Sequence, residues 1–372
     1  MDKLKILHVL SYSHYPERWY SIIRQMMQYF DIYVLYADIP SYNMLNKYMP
    51  TKVYSVESID FGKPLGVRNT MFKSITKLNE VFKIVKPDLI HIQTHYFLSN
   101  YQALALAKKR KIPSMLDIQG LIENKNLAID KVQNIYLWTP LMHWLLKNVD
   151  GIRFVSSSDY ALLKKRYDFI GQKSKIIYNF IELEKYRVSQ KIHPSMIWHG
   201  RLVKKKRIDL IIKVLSRIIS EYLIKDLKFY LIGYGPEYPK IMKLIKDFHL
   251  FKNITYIPYL NTDDLINYLS KAEVIPFVSS YEGNPFSLLE AAACGVFPIG
   301  FKTPGTQETI RMLNGALIED GDIIGLAQKI VEVLEKGYDP WVLRRLVETY
   351  FSPRVILSNL KDYYEKIICF AK

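Results

Sequence analysis

Short apolar runs alternate with longer amphipathic stretches along nearly all of the 372 residues. Strand-length runs bounded by Pro, Asp or Gly turns, each followed by a stretch of helical spacing, are the pattern of parallel sheets covered by helices. KILHVL, DIYVLYA, PDLIHIQ, IPSMLDI, GIRFVS and KIIYNF form one series, and SMIWHGRL, KFYLIGYG, ITYIPYL, AEVIPFVS and VFPIGF a second. Two sheets are therefore expected, one per half, and the length fits two domains of ordinary size. IELEKYRVSQKIHP, between the two series, is charged, lacks apolar periodicity and ends in a proline that disfavours helix before it, so it reads as a linker. The expected domains span 1–186 and 187–353. Beyond them, Val355, Leu360, Tyr363 and Ile367 recur at helical spacing, predicting a helix over 354–372 that could close either domain, with completion of the first the expected one.

The formal net charge is +16, and residues 1–190 hold 27 basic against 16 acidic side chains, so the first half carries +11 and the remainder +5. A field of that sign favours anionic partners, whether nucleic acid, acidic lipid or a phosphorylated acceptor, although a solvated basic surface has the same composition. The opening apolar run is too short for a signal segment, and no run reaches the ~18 residues that a membrane span needs. The two cysteines, Cys294 and Cys369, lack metal-ligand spacing, and a reducing compartment follows. A cytoplasmic protein is expected, with peripheral membrane contact open to its basic first half. Ile135–Leu146 is aromatic and flanked by lysines; it reads as a buried helix, with an interfacial membrane segment as the other reading. Lys108–Lys111 reads as a solvated turn.

The chemistry concentrates in Ser280–Gly295, SYEGNPFSLLEAAACG. Asn284 is a good N-cap and Pro285 suits a first helical position, so a helix is expected from there to about Gly295. Its first turn would present the N–H groups of Phe286, Ser287 and Leu288 to an anion such as phosphate. Glu282 precedes that helix and Glu290 lies two turns inside it, so the two carboxylates need not share a face. Each is suited to vicinal sugar hydroxyls. Gly200-Arg201-Leu202-Val203-Lys204-Lys205-Lys206-Arg207 follows the strand SMIWH directly, and strand ends are where α/β sheets bind ligands. Arg201 and Lys206 suit a diphosphate, and more so as it departs with added charge; Lys204, Lys205 and Arg207 read as a solvated turn. Gly233 and Gly235 in LIGYGPE let backbone approach a ligand, and Tyr259, Leu260 and Asn261 end a strand where a nucleobase could stack or bond main chain. Asp320-Gly321-Asp322 has the form of a metal-binding D-x-D, but a helix N-cap is the better reading.

These segments, taken in order, resemble the retaining glycosyltransferases of family 4, which have the GT-B fold: two Rossmann-like doubly wound α/β domains facing across a cleft. GRLVKKKRID, LIGYGPE, NITYIPYL, LINYLSKAEV and EGNPFSLLEAAACGVFPIG followed by Thr309-Ile310 carry the resemblance over about 195–330. It implies a hexosyl transfer from a nucleoside-diphosphate sugar to a glycan or lipid-linked acceptor; with the D-x-D read as a cap and no His, Cys and Asp cluster in the sequence, transfer without metal or other cofactor is expected. The resemblance assigns Glu282 to the transferred sugar, Glu290 to the ribose, and Arg201 and Lys206 to the diphosphate. Gly235, Tyr259, Leu260, Gly283, Asn284, Phe286, Ser287 and Leu288 complete the expected donor site. The first half resembles the acceptor domain less closely, and Tyr15, Arg18 and Gln119 are its candidate acceptor-side residues. SYSHYPERW lacks the glycines many members have after the first strand, and Gln119 stands where many have histidine, which removes proton exchange at that position. His91, with Gln93 two residues on, reads as a packed strand histidine. Nucleic acid is not an expected partner, since basic residues are scattered through the α/β units. A nucleic-acid-binding α/β protein is the alternative of another class, and a same-fold epimerase or sugar-phosphate synthase would share the donor residues.

Overall fold

The structure, a computed structural model, describes residues 3–10, 16–37, 43, 46–47, 52–60, 70–121 and 140–371, with the side chains of 16–19 excepted. The chain divides into two compact units, Met1–Tyr178 with Ile356–Lys372, and Asn179–Val355.

The first unit is built on a seven-stranded sheet in the order β3-β2-β1-β6-β7-β8-β9. Its strands are β1 (Lys5–Leu10), β2 (Asp31–Tyr36), β3 (Val53–Ser55), β6 (Leu89–Ile92), β7 (Ser114–Ile118), β8 (Gly151–Phe154) and β9 (Ser174–Ile176), and every pairing is parallel. A separate antiparallel pair joins β4 (Ser58–Asp60) to β5 (Thr70–Phe72). Helices Ile75–Val85, Leu98–Lys109, Pro140–Asn148 and Ser157–Arg166 connect or flank the strands. The Pro140–Asn148 helix buries Met142, Leu145 and Leu146 and exposes Leu141 and Trp144; residues 135–139 of the aromatic segment lie outside the described residues. No helix among the described residues is long and apolar enough to cross a membrane. The Lys108–Lys111 run is not wholly solvated, because Lys108 pairs with Asp150 at 3.3 Å and Arg110 donates to Asn79 Oδ1 at 2.6 Å.

The C-terminal helix, Pro353–Ala371, buries Ile356, Leu357, Leu360, Tyr363, Tyr364 and Ile367, one stripe of helical spacing that omits the half-buried Val355. Each fully buried aliphatic side chain in such a stripe contributes about 2 kcal/mol. The two tyrosines add polar anchors: Tyr363 Oη accepts from Ile152 N at 2.9 Å, and Tyr364 Oη meets His91 Nδ1 at 2.6 Å.

That second contact opens on a polar chain inside the sheet. His91 Nε2 lies 2.9 Å from Asp117 Oδ1, Arg153 Nη1 lies 2.8 Å from Asp117 Oδ2, and Gln119 Nε2 donates to the same Oδ2 at 2.8 Å. Arg153 also donates to the carbonyls of Ile177 and Tyr178. His91 therefore sits between the Asp117 carboxylate on its Nε2 side and the Tyr364 hydroxyl on its Nδ1 side. Burial opposes ionisation of Asp117, but Arg153 and then His91 outweigh it and hold its pKa at about 2. His91 is thus a packed strand histidine.

The second unit carries a six-stranded parallel sheet in the order β12-β11-β10-β13-β14-β15. The strands are β10 (Ser195–His199), β11 (Lys228–Ile232), β12 (Ile254–Ile257), β13 (Val274–Phe277), β14 (Phe297–Phe301) and β15 (Ala316–Ile318). Helix Ile208–Glu221 buries Ile211, Ile212, Leu215 and Ile218 at i, i+1, i+4 and i+7, the stripe that an amphipathic helix turns to a core. The first unit ends at 178, not the expected 186. Residues 179–194 are packed on the second unit and do not form a free linker: Asn179 N donates to Asn284 Oδ1 at 2.8 Å, Arg344 Nη1 to Tyr186 O at 2.8 Å and Ile192 N to Lys271 O at 2.7 Å.

Candidate functional site

In the second sheet the chain leaves β10 toward β11 on one side, and β13 takes the other side. The connections diverge there, opening a crevice outside the carboxyl ends of the two strands. Two segments line it, Gly200–Arg207 after β10 and Val278–Pro285 after β13. Main chain ties them together: Ser280 N donates to Lys205 O at 2.8 Å, and Arg207 Nη2 donates to Ser279 O at 3.3 Å. The segment after β14 supports them from behind, with Thr303 Oγ1 donating to Ser279 O at 2.9 Å and Glu282 N to Pro304 O at 3.1 Å. Gly305 sits at φ 72°, and a Cβ there would lie 1.8 Å from Glu282 O. Gly305→Ala is therefore expected to push the Glu282 loop out of place and to destabilise the second unit by about 1–3 kcal/mol. Thermal melting checks this, and an unchanged melting temperature would show that the loop is not held by this contact.

The charged groups meet on Glu282. Its side chain is 11% exposed, with Oε1 2.7 Å from Lys206 Nζ and Oε2 3.6 Å from Lys205 Nζ. Burial opposes its ionisation, but Lys206 and Lys205 outweigh that and lower its pKa below the ordinary carboxylate value. Arg201 is exposed at the mouth of the loop, close enough for its charge to act on Lys205. Lys205 and Arg207 do not form the solvated turn expected of them. Lys205 lies over the Tyr281 ring at 4.8 Å, and Arg207 pairs with Asp320 at 2.7 Å and stacks over Phe301 at 5.3 Å. Only Lys204 of the three is fully exposed. Asp320 is thereby occupied, and Asp322 caps the helix Ile323–Lys336 by accepting from Gly325 N at 2.8 Å. Among the described residues no group of three or more His, Cys, Asp or Glu is placed to hold a metal.

The helix after Glu282 begins one residue later than expected. It spans Phe286–Ala293, with Pro285 at the cap position and no side-chain cap bond. Asn284 cannot cap it because its amide is used at both ends: Oδ1 accepts from Asn179 N, and Nδ2 donates to Thr309 Oγ1 at 2.9 Å. Leu288 N donates to Pro285 O at 3.1 Å, which withdraws it from the expected anion-binding turn. Glu290, inside the helix and buried, faces a partner that sequence reasoning missed: His199 Nε2 lies 3.8 Å from Glu290 Oε2 and 3.2 Å from Ser287 O. The two carboxylates thus engage separate groups, Glu282 the lysines and Glu290 the strand-end histidine.

The remaining candidates divide. A Cβ on Gly235 would stand 2.3 Å from Leu202 O, and one on Gly233 1.8 Å from Gly200 O. These glycines let the loops after β10 and β11 touch, so the close approach they permit is to protein backbone. Gly283 is buried beside Glu282. Tyr259 and Leu260 follow β12 at the sheet edge, two strands from β10 and apart from the Lys–Glu cluster; Tyr259 is 70% exposed. Asn261 is spent as the N-cap of the helix Thr262–Lys271. In the first unit, Gln119 commits its amide nitrogen to Asp117, which leaves its carbonyl oxygen as the end not used in that bond. Tyr15 lies outside the described residues, as does the side chain of Arg18.

Comparison with known proteins bears directly on this arrangement. Residues 184–345 match the family described as Glycosyl transferases group 1, and residues 20–185 match Glycosyltransferase Family 4. The chain is 24% identical over 311 residues to N-acetyl-alpha-D-glucosaminyl L-malate synthase of Bacillus anthracis, covering 78% of each chain. It is 31% identical over 166 residues to poly(ribitol-phosphate) alpha-N-acetylglucosaminyltransferase of Staphylococcus aureus, covering 42% of this chain and 32% of that one. The solved structure of Anabaena HepE in complex with UDP has the same fold, with a TM-score of 0.77 over 98% of this chain and 100% of that one at 13% identity. Two family matches that meet end to end over 20–345, on two doubly wound α/β units, make this chain a GT-B glycosyltransferase of family 4, an enzyme that takes its sugar from a nucleotide-sugar donor.

Proposed function

We propose that the chain moves a hexose from a nucleoside-diphosphate sugar to a glycan or lipid-linked acceptor, with retention at the anomeric carbon and without a metal. The observation that carries the donor assignment is the Lys206–Glu282–Lys205 cluster at the crevice between β10 and β13. Lys206, with Arg201 nearby, supplies fixed positive charge for a diphosphate that gains negative charge as the glycosidic bond breaks. Cationic side chains in that place do the work that a divalent ion does elsewhere. Glu282 accepts from hydroxyls of the transferred sugar and Glu290 from those of the ribose. Ser287, at the start of the Phe286–Ala293 helix, brings a helix N-terminus to the phosphates. Gln119 offers a carbonyl oxygen to a hydroxyl on the acceptor side.

Retention rests on product chemistry. The names of both curated relatives specify an α-linked N-acetylglucosaminyl product, and a donor with an α bond to phosphate gives an α product only if configuration is kept. One of those names also specifies an anionic acceptor, poly(ribitol phosphate), and the +11 excess over residues 1–190 suits an acceptor of that charge. The reading places the enzyme in the cytoplasm, where nucleotide sugars are made, with its basic half toward an acidic surface. The test is donor hydrolysis against a panel of UDP-, GDP- and ADP-sugars, with and without EDTA. One base class should be cleaved slowly, equally with chelator, and with the α anomer released first. No cleavage of any donor, or loss of cleavage in EDTA, would overturn the respective part of the proposal.

A further inference from the structure

We infer that Lys205 is an exchangeable counter-ion: it holds Glu282 Oε2 in the free enzyme and moves to the donor's diphosphate on binding, releasing that oxygen to the transferred sugar. The inference rests on the donor assignment above and adds Lys205 to the Arg201 and Lys206 already assigned to the diphosphate.

The geometry distinguishes the two lysines. Lys206 meets Glu282 Oε1 at 2.7 Å, within hydrogen-bond distance, and is 13% exposed. Lys205 stands 3.6 Å from Oε2, beyond hydrogen-bond distance, and is 32% exposed. The first pair is the closer and more enclosed ion pair; the second is a looser Coulombic contact on the more exposed side. The backbone of Lys205 is fixed, since its carbonyl accepts from both Ser280 N and Ser280 Oγ. Its ammonium, at the end of a flexible four-carbon stem, lies 4.8 Å from the centroid of the Tyr281 ring and can turn about the stem's single bonds.

Charge balance gives the exchange its direction. Arg201, Lys205 and Lys206 carry three positive charges against one on Glu282, leaving an excess of two, which a sugar nucleotide's diphosphate matches. Burial, and then the repulsion of Lys206 and Arg201, lower the pKa of Lys205 despite Glu282 beside it. An arriving diphosphate relieves that repulsion. Glu282 loses little, because Lys206 stays on Oε1, and it gains an unengaged oxygen at the moment a sugar needs an acceptor.

The test is a double-mutant cycle on the full chain, reading the dissociation constant for free UDP, GDP or ADP, whichever the wild type binds most tightly, by calorimetry. These ligands lack the sugar, so Glu282 acts on them only through its charge and through the lysines. Lys205→Met should weaken binding about tenfold, and Lys205→Arg should restore most of it. Made in a Glu282→Gln background, Lys205→Met should cost more, about thirtyfold, because Lys205 then no longer leaves a partner to reach the phosphates. An equal cost in both backgrounds overturns the exchange, and no cost in either overturns Lys205 as a phosphate ligand. If the folded wild type binds none of the three nucleotides, the donor assignment falls and this inference with it. Wild-type binding that Lys205→Met leaves unchanged sinks the inference alone.

Discussion

Lys206→Ala should lower turnover about a hundredfold, with a smaller effect on donor affinity. Lys206 has two tasks. It neutralises charge that grows on the leaving diphosphate, which is worth more in the transition state than in the bound donor. It also keeps Glu282 ionised, for burial alone would raise that carboxylate's pKa. The loss of about 2.7 kcal/mol that a hundredfold represents is what removal of one fixed charge from a developing anion costs. The second task adds a signature. Without Lys206, the largest opposition to burial is lost and Lys205, at 3.6 Å, is the remaining positive charge on Glu282, so the acid limb of the pH–rate profile should move to higher pH. Lys206→Arg should recover part of the rate and return the limb toward its wild-type position. Wild-type turnover in Lys206→Ala would remove the cluster from the reaction.

Asp117→Ala should be the most destabilising single change in the first unit, by about 3–5 kcal/mol, because it leaves the buried Arg153 guanidinium without its carboxylate. The effect should concentrate in β6, β7 and β8, where hydrogen exchange monitored by mass spectrometry would rise. The pH dependence follows from the sign of the shift. Asp117 has a folded pKa of about 2, below its unfolded value, so its contribution is fully present above about pH 4 and is lost as the pH falls toward 2. In that window the wild type should lose about 2 kcal/mol that Asp117→Ala does not. Wild-type exchange rates in the variant would show that the chain His91–Asp117–Arg153 carries no stability. Tyr364, which closes it, is a hydroxyl that burial keeps protonated.

Both predictions come from groups that the sequence showed unequally. The sheets were legible because each strand is a short apolar run between turn residues, and period and length suffice to read that pattern. Glu282, Glu290 and Arg201 could be picked out by their spacing and by their place after strands. Lys205 could not. Lys204–Lys206 form one 3₁₀ turn, in which successive side chains leave about 120° apart, and only that geometry sends two of three identical residues toward Glu282. The helix start was displaced by a distant pairing: Asn284 has the chemistry of a cap, but Asn179, 105 residues earlier in sequence, takes its oxygen. His199 carried a weaker signal, a histidine ending an apolar strand just before Gly-Arg, and its meaning depends on where the Glu290 helix packs. The first unit's polar chain was visible as one titratable residue in each of LIHI, SMLDI and GIRF. Reading it needed the register that sets Asp117 opposite Arg153.

The return of residues from Ile356 onward to the first unit has a consequence for how the protein is made. A ribosome delivers the chain from its amino end, so the second unit emerges with all of its strands and helices and can fold while still tethered. The first unit, begun earlier, lacks the buried stripe of the C-terminal helix until the segment bearing Tyr363 and Tyr364 emerges. The older half of the polypeptide is therefore the later to mature, and it is the half that chaperones would guard during synthesis.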